Sequence, residues 1–128
     1  MTEMAKNLAN KNASADENLI LQARNLERDT SSNMALVFLK EKNYKKAIEK
    51  ATYSLNVEKT SKAYFRRGQA NILKGDFEQA YKDFADAKEQ DPESESLIEA
   101  EIKKAKKAEK EYDKKNAEKF SKAFSGAN

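Results

Sequence analysis

The chain has no cysteine and no histidine among its 128 residues. That excludes disulfides, thiolate nucleophiles, Ser-His triads and the usual thiolate or imidazole metal sites. One proline and three glycines leave few positions that break a helix or need a positive φ. The longest apolar run, Met34 to Leu39, is far too short to cross a bilayer. No charged-then-apolar segment opens the chain, so no membrane contact and a cytoplasmic location are expected. A stripe of one charge sign is missing too: the net charge is +3, and lysines alternate with acids. Nucleic-acid binding, which wants a basic patch, is not expected.

What the chain has is charge at helical spacing. Charged residues make up 37% of it, against about 25% in an average soluble domain. Mean hydropathy is -0.99, so any core must be thin. Carboxylates can act in catalytic pairs. Here they lie among lysines with no apolar pocket evident, the pattern of a solvated ion-pair face. No enzyme, cofactor or metal site is expected.

Residues 1–14 are polar and rich in Asn, Lys and Ala, and a flexible N-terminal segment is expected there. Ser14 with Glu17 makes a capping box, which predicts a helix from about Ala15. Leu19, Ala23 and Leu26 recur at helical spacing, and Val37 follows a polar patch, "RDTSSN". One helix to Lys40 is expected, with a kink or break at the patch as the alternative. Tyr44, Ala47, Ile48, Ala51 and Leu55 share the face of a second helix. Thr60 caps a third, which Gly75 ends with a positive φ. Asp76 and Gln79 open a fourth, with Phe77, Ala80, Tyr81, Phe84 and Ala87 on its buried face. Asp91 and Pro92 open a fifth, and residues 95–128 read as a charged helix and tail. Leu97, Ile98, Ile102, Ala105 and Ala108 should dock it on the fourth helix, the part beyond Ala108 projecting. Glu99–Lys103, Glu111–Lys115 and Glu118–Lys122 are i,i+4 pairs along it.

Part of this pattern repeats. Tyr44-x-x-Ala47 and Phe77-x-x-Ala80 stand 33 residues apart, as do Asn33 and Arg66. A helix-turn-helix period near 34 residues is that of tetratricopeptide repeats. Two units are predicted, about 28–60 and 61–94, within helices covering 15–94.

Tyr64, Gly68, Phe77, Ala80, Phe84, Ala87 and Pro92 stand at the spacing of the tetratricopeptide signature, and the chain resembles that family. The implied fold is all-α: tetratricopeptide-repeat helical hairpins, about two repeats, with a long N-terminal helix and a long C-terminal capping helix. Gly68 and Ala80 are small where paired helices must approach. The segment "KAYFRRGQA", with Asn33 in register, resembles the chaperone-binding type. The groove of that type grips the free C-terminus of a heat-shock protein 90 or 70 class chaperone, usually Glu-Glu-Val-Asp. The resemblance implies Asn33, Lys62 and Arg66 as the peptide carboxylate-binding residues. Lys and Arg would pair with carboxylates, and Asn would donate to the terminal one. The family's clamp has a further Lys and Asn four apart on an earlier helix. Lys6 and Asn10 have that spacing, yet Asn10 stands only 23 residues before Asn33, too few for a full repeat. Either that helix is absent and the clamp is partial, or Lys6 and Asn10 serve in an altered geometry.

The stretch "KKAKKAEKEYDKKNAEKFSKAFS" resembles the closing helix of the large immunophilins, the FK506-binding proteins and the forty-kilodalton cyclophilin. Some of these carry a calmodulin site here, but the near-equal numbers of lysines and acids between Glu93 and Phe124 argue against calmodulin as a partner. Helical pattern fills the chain and leaves no room for a separate prolyl-isomerase domain. Whether it is part of a larger immunophilin or stands alone stays open. The implied function is a co-chaperone-like adaptor. The alternative is a structural repeat module that joins a second copy or another protein through exposed apolar helix faces, with Leu19, Leu26 and Val37 the candidates.

Overall fold

The computed structural model describes residues 2–126. Helix α1 spans Glu3–Lys40, α2 Tyr44–Val57, α3 Ser61–Lys74 and α4 Phe77–Gln90; a single 3-10 turn, Pro92–Ser94, leads into α5, Glu95–Gly126. The fold is all-α, with no strand among the described residues. Two helical hairpins, α1–α2 and α3–α4, stack side by side through α2 and α3, and α5 closes the stack against α4 and α3.

The helix ends follow local signals. Thr60 Oγ1 accepts a hydrogen bond from the Ala63 N–H at 3.2 Å. Asp76 Oδ1 accepts one from the Gln79 N–H at 3.2 Å. Each satisfies an orphan donor of a first turn. Gly75, at φ 94, closes α3, and its N–H reaches the Ile72 carbonyl at 3.0 Å.

The N-terminal boundary is corrected. The expected flexible segment 1–14 and the expected start near Ala15 are replaced by helix from Glu3 onward, capped by the Thr2 side chain; Met1 lies outside the described residues. A capping box acts only where a helix begins. With helix upstream, the N–H groups beside Ser14 are bonded to carbonyls four residues back, and nothing between Glu3 and Lys40 is Gly or Pro. The patch "RDTSSN" also stays helical, because Ser31 and Ser32 are buried where α1 meets its neighbours.

The core is built from small residues around a few large ones: Leu55, Ala63, Tyr64, Ala80, Phe84, Ala87, Ile98 and Ala105. Alanines let the helices approach closely, so a thin core still excludes water. Asp83 is fully buried beneath it and is fully satisfied. The Arg67 guanidinium grips it through Nη2 at 2.8 Å and Nε at 3.1 Å, while Asn71 and Gln79 each donate at 3.0 Å.

Helix α5 departs from expectation in three places. Leu97 faces solvent, while Ile98 and Ala105 carry the docking. Helix α5 remains packed beyond Ala108: Tyr81 donates to Glu109 at 2.8 Å, and the Tyr112 ring meets Phe77 edge-on at 5.6 Å. Projection therefore begins after Tyr112. Glu99 bonds Lys88 of α4 at 2.8 Å, a pairing that needs the tertiary approach of α4.

Candidate peptide-binding groove

Helices α1 and α3 run side by side and place Asn33 against Lys62 and Arg66. Lys62 Nζ donates to Asn33 Oδ1 at 3.2 Å, and Arg66 Nη1 donates to the same oxygen at 3.3 Å. The 33-residue spacing of Asn33 and Arg66 thus becomes a contact between equivalent positions of neighbouring hairpins. Because both cations hold Oδ1, the amide nitrogen of Asn33 is turned away from them, presenting donors. Lys62 and Asn33 are exposed and Arg66 is half-buried.

Arg66 has a second anchor. Its Nη1 also donates to the Ser32 carbonyl and, at 3.1 Å, to Ser32 Oγ. Burial pushes the pKa of the guanidinium below its ordinary value, yet an arginine this basic stays charged at neutral pH. Ser32 is almost wholly buried. Sequence reasoning missed it, because a serine in a polar patch carries no sign of the helix that will pack on it.

Other charges frame the site. Arg28 bonds Asp29 at 2.9 Å and also Glu58, tying α1 to the end of α2. The Asp29 carboxyl is held below its usual range by the Arg28 hydrogen bond first, and by the positive charge of Lys62 as a lesser cause. Asp29 is thus an acid at the rim of a site otherwise made of donors.

Two apolar hollows flank the cluster. One, about 390 Å³, lies over α3 between Leu36 and Leu39 of α1 and Ala105 and Ala108 of α5, with Ile72 as floor. The other, about 250 Å³, is bounded by Lys62, Phe65, Leu97 and Ile98.

The second pair of candidates does not join the cluster. Lys6 and Asn10 lie on the same helix as Asn33, 27 and 23 residues before it, a rise of about 35–40 Å. One carboxylate cannot reach both places.

Comparison with known proteins adds the family context. Over 98 residues, 73% of this chain, it is 38% identical to "Peptidyl-prolyl cis-trans isomerase D" of Kluyveromyces lactis, covering 26% of that protein. Over 115 residues, 86% of this chain, it is 31% identical to "Peptidyl-prolyl cis-trans isomerase CYP7" of Saccharomyces cerevisiae, covering 29% of it. The chain thus spans little more than a quarter of the length of these relatives. No protein-family profile matches it.

The expectation that the chain is no enzyme is corrected by these relatives, both of which are named peptidyl-prolyl cis-trans isomerases. Missing nucleophiles and metal ligands had argued against an enzyme. Isomerisation of an X–Pro peptide bond is a rotation about a C–N bond that breaks no covalent bond. It needs neither a nucleophile nor a metal, so a lack of cysteine and histidine does not exclude it.

Among the described residues no helix is long and apolar enough to cross a membrane.

Proposed function

We propose that the chain is a tetratricopeptide-type module that binds the acidic C-terminal peptide of a heat-shock chaperone through a partial carboxylate clamp of Asn33, Lys62 and Arg66. The observation that carries this reading is the convergence of two cations on the Asn33 amide from a neighbouring helix. A terminal carboxylate arriving there displaces Asn33 Oδ1 from an ammonium and a guanidinium, and meets the amide N–H once the amide turns; charge-assisted bonds of this kind are the strong ones. An extended ligand leaving the cluster rises about 3.3 Å per residue, so its apolar side chains reach the hollows over α3 within a few residues. In this reading the groove brings the chain, and the prolyl-isomerase function in its relatives' names, to a cytoplasmic chaperone. Titration calorimetry with a peptide ending in Glu-Glu-Val-Asp tests it. The free acid should bind and its C-terminal amide should not; equal binding of the two would reject the clamp.

A further inference from the structure

Along α1, Leu8, Leu19, Leu26 and Val37 stand eleven, seven and eleven residues apart. At 3.6 residues per turn each step returns to within about 20° of the one before, so the four side chains form one line about 44 Å long. All four are exposed, at 58%, 63%, 69% and 53%. Along Leu8–Leu26 the fold uses the other side of α1, while at its Val37 end the line borders the groove, where Asn33, about 30° from it, bonds Lys62 and Arg66 of α3. Arg24 and Arg28 bond the end of α2, Ala35 is fully buried, and Ser32 holds Arg66. Leu26 lies two residues from both Arg24 and Arg28, about 200° around the helix. An apolar line turned away from the molecule inverts the pattern of a surface helix, whose polar face meets water. It is the side on which a preceding hairpin would sit in a longer array.

We propose that this line is the contact surface of a homodimer, in which α1 packs against α1 of a second copy about a two-fold axis. The residues beside the line favour a second copy over a charged partner. Between Leu8 and Val37, Asn12, Ala15, Gln22, Ala23, Thr30 and Asn33 flank it within about 50°, and none is charged. In a parallel pairing about the two-fold axis each residue of the line meets its own copy, so a charged residue on it would face like charge. A different acidic or basic partner would call for complementary charge, which this strip lacks. Ala15 and Ala23 permit the 8–10 Å approach of packed helices. Leu8, Asn12, Ala15, Leu19, Gln22 and Leu26 also follow the alternating three-and-four spacing of a coiled-coil seam, with polar Asn12 and Gln22 setting register at a cost in affinity. A strip about 44 Å by 10 Å on each protomer gives roughly 900 Å² in all, below the size of most stable interfaces, so the dimer is weak and reversible.

Sedimentation equilibrium on the full chain without peptide, from low micromolar to near-millimolar protein, tests this independently of the clamp. The mass should rise from monomer towards dimer across the series. The double variant Leu19→Glu/Leu26→Glu should remain monomeric with helicity preserved, since both positions are exposed. Leu97→Glu, an exposed leucine on α5, should dimerise as the parent does. A parent that stays monomeric throughout, a dimer that survives the double variant, or equal loss in Leu97→Glu would each overturn the proposal.

Discussion

Gly68 of α3 lies against the ring of Phe84 of α4 so closely that a Cβ on Gly68 would stand 2.7 Å from Phe84 Cε1. Phe84 is fully buried and cannot swing aside. Glycine within a helix costs up to about 1 kcal/mol relative to alanine, but overpacking a filled core costs about 1–3 kcal/mol. The steric term already opposes alanine, whose Cβ is the clashing atom, and grows with any larger side chain. Gly68→Leu should lose about 2–3 kcal/mol, a fall on the order of 10 °C in melting temperature for a domain of this size. Melting within a degree or two of the parent would show that α3 and α4 are not this close.

Asp83 is the second point of sensitivity. Its carboxylate is fully buried and salt-bridged to Arg67 at 2.8 Å. Removing one partner of such a pair costs about 3–5 kcal/mol, because the other keeps a desolvated charge. Asp83→Ala should show a loss of that size in urea unfolding. Replacing both partners, as Arg67→Met with Asp83→Leu, should recover only part of it. Asn71 would still be buried with its donor unmatched, at about 1–3 kcal/mol.

Alkali should weaken the α4–α5 contact. The Tyr81 phenol is raised to about 12, chiefly by burial and then by its hydrogen bond to Glu109. The folded state therefore keeps a proton that the unfolded chain releases near pH 10. The resulting stability is fully present below pH 10 and is lost as pH rises towards about 12. Tyr53, raised by its bond to Glu27, acts in the same direction. Melting temperatures measured across this window should fall with pH, and Tyr81→Phe should make the fall shallower. An identical slope in that variant would assign the effect elsewhere.

In the groove, Lys62→Ala should weaken a Glu-Glu-Val-Asp peptide about tenfold, from the loss of one charge-assisted bond worth roughly 1.5–3 kcal/mol. Arg66→Ala should cost at least as much. Ser32→Ala should reduce affinity by a smaller factor, since it removes the hydroxyl anchor of the guanidinium and leaves the bonds to the residue-32 carbonyl and to Asn33. Asn33→Ala should reduce discrimination between acid and amide peptides, and added salt should weaken binding to this partly wet site. Affinity that is indifferent to Lys62 and Arg66 would make them a solvated helix face.

The relation of Asn33 to Lys62 and Arg66 was legible because a helical repeat converts a sequence period into spatial adjacency. Residues 33 apart fall on corresponding turns of neighbouring hairpins. Ser32 was not legible, although it adjoins Asn33, since its role exists only once Arg66 lies over α1. Asp83 reads in sequence as one more surface acid on a charged helix. Its burial follows from the Arg67 fork reaching it from α3.

The sequence by itself determined the helices and most of their ends. Caps such as Thr60 and Asp76 and the positive φ of Gly75 act within a few residues, so local chemistry decides them. It also determined the small-residue contact at Gly68 through the repeat register. Tertiary structure alone decided which competing local signals prevail. The capping box at Ser14 is silent because α1 is already helical upstream, and Tyr112 docks beside Gly75 because α5 follows α4 further than its own apolar pattern requires. Such outcomes depend on contacts between segments distant in the chain, whose energies no single window of sequence contains.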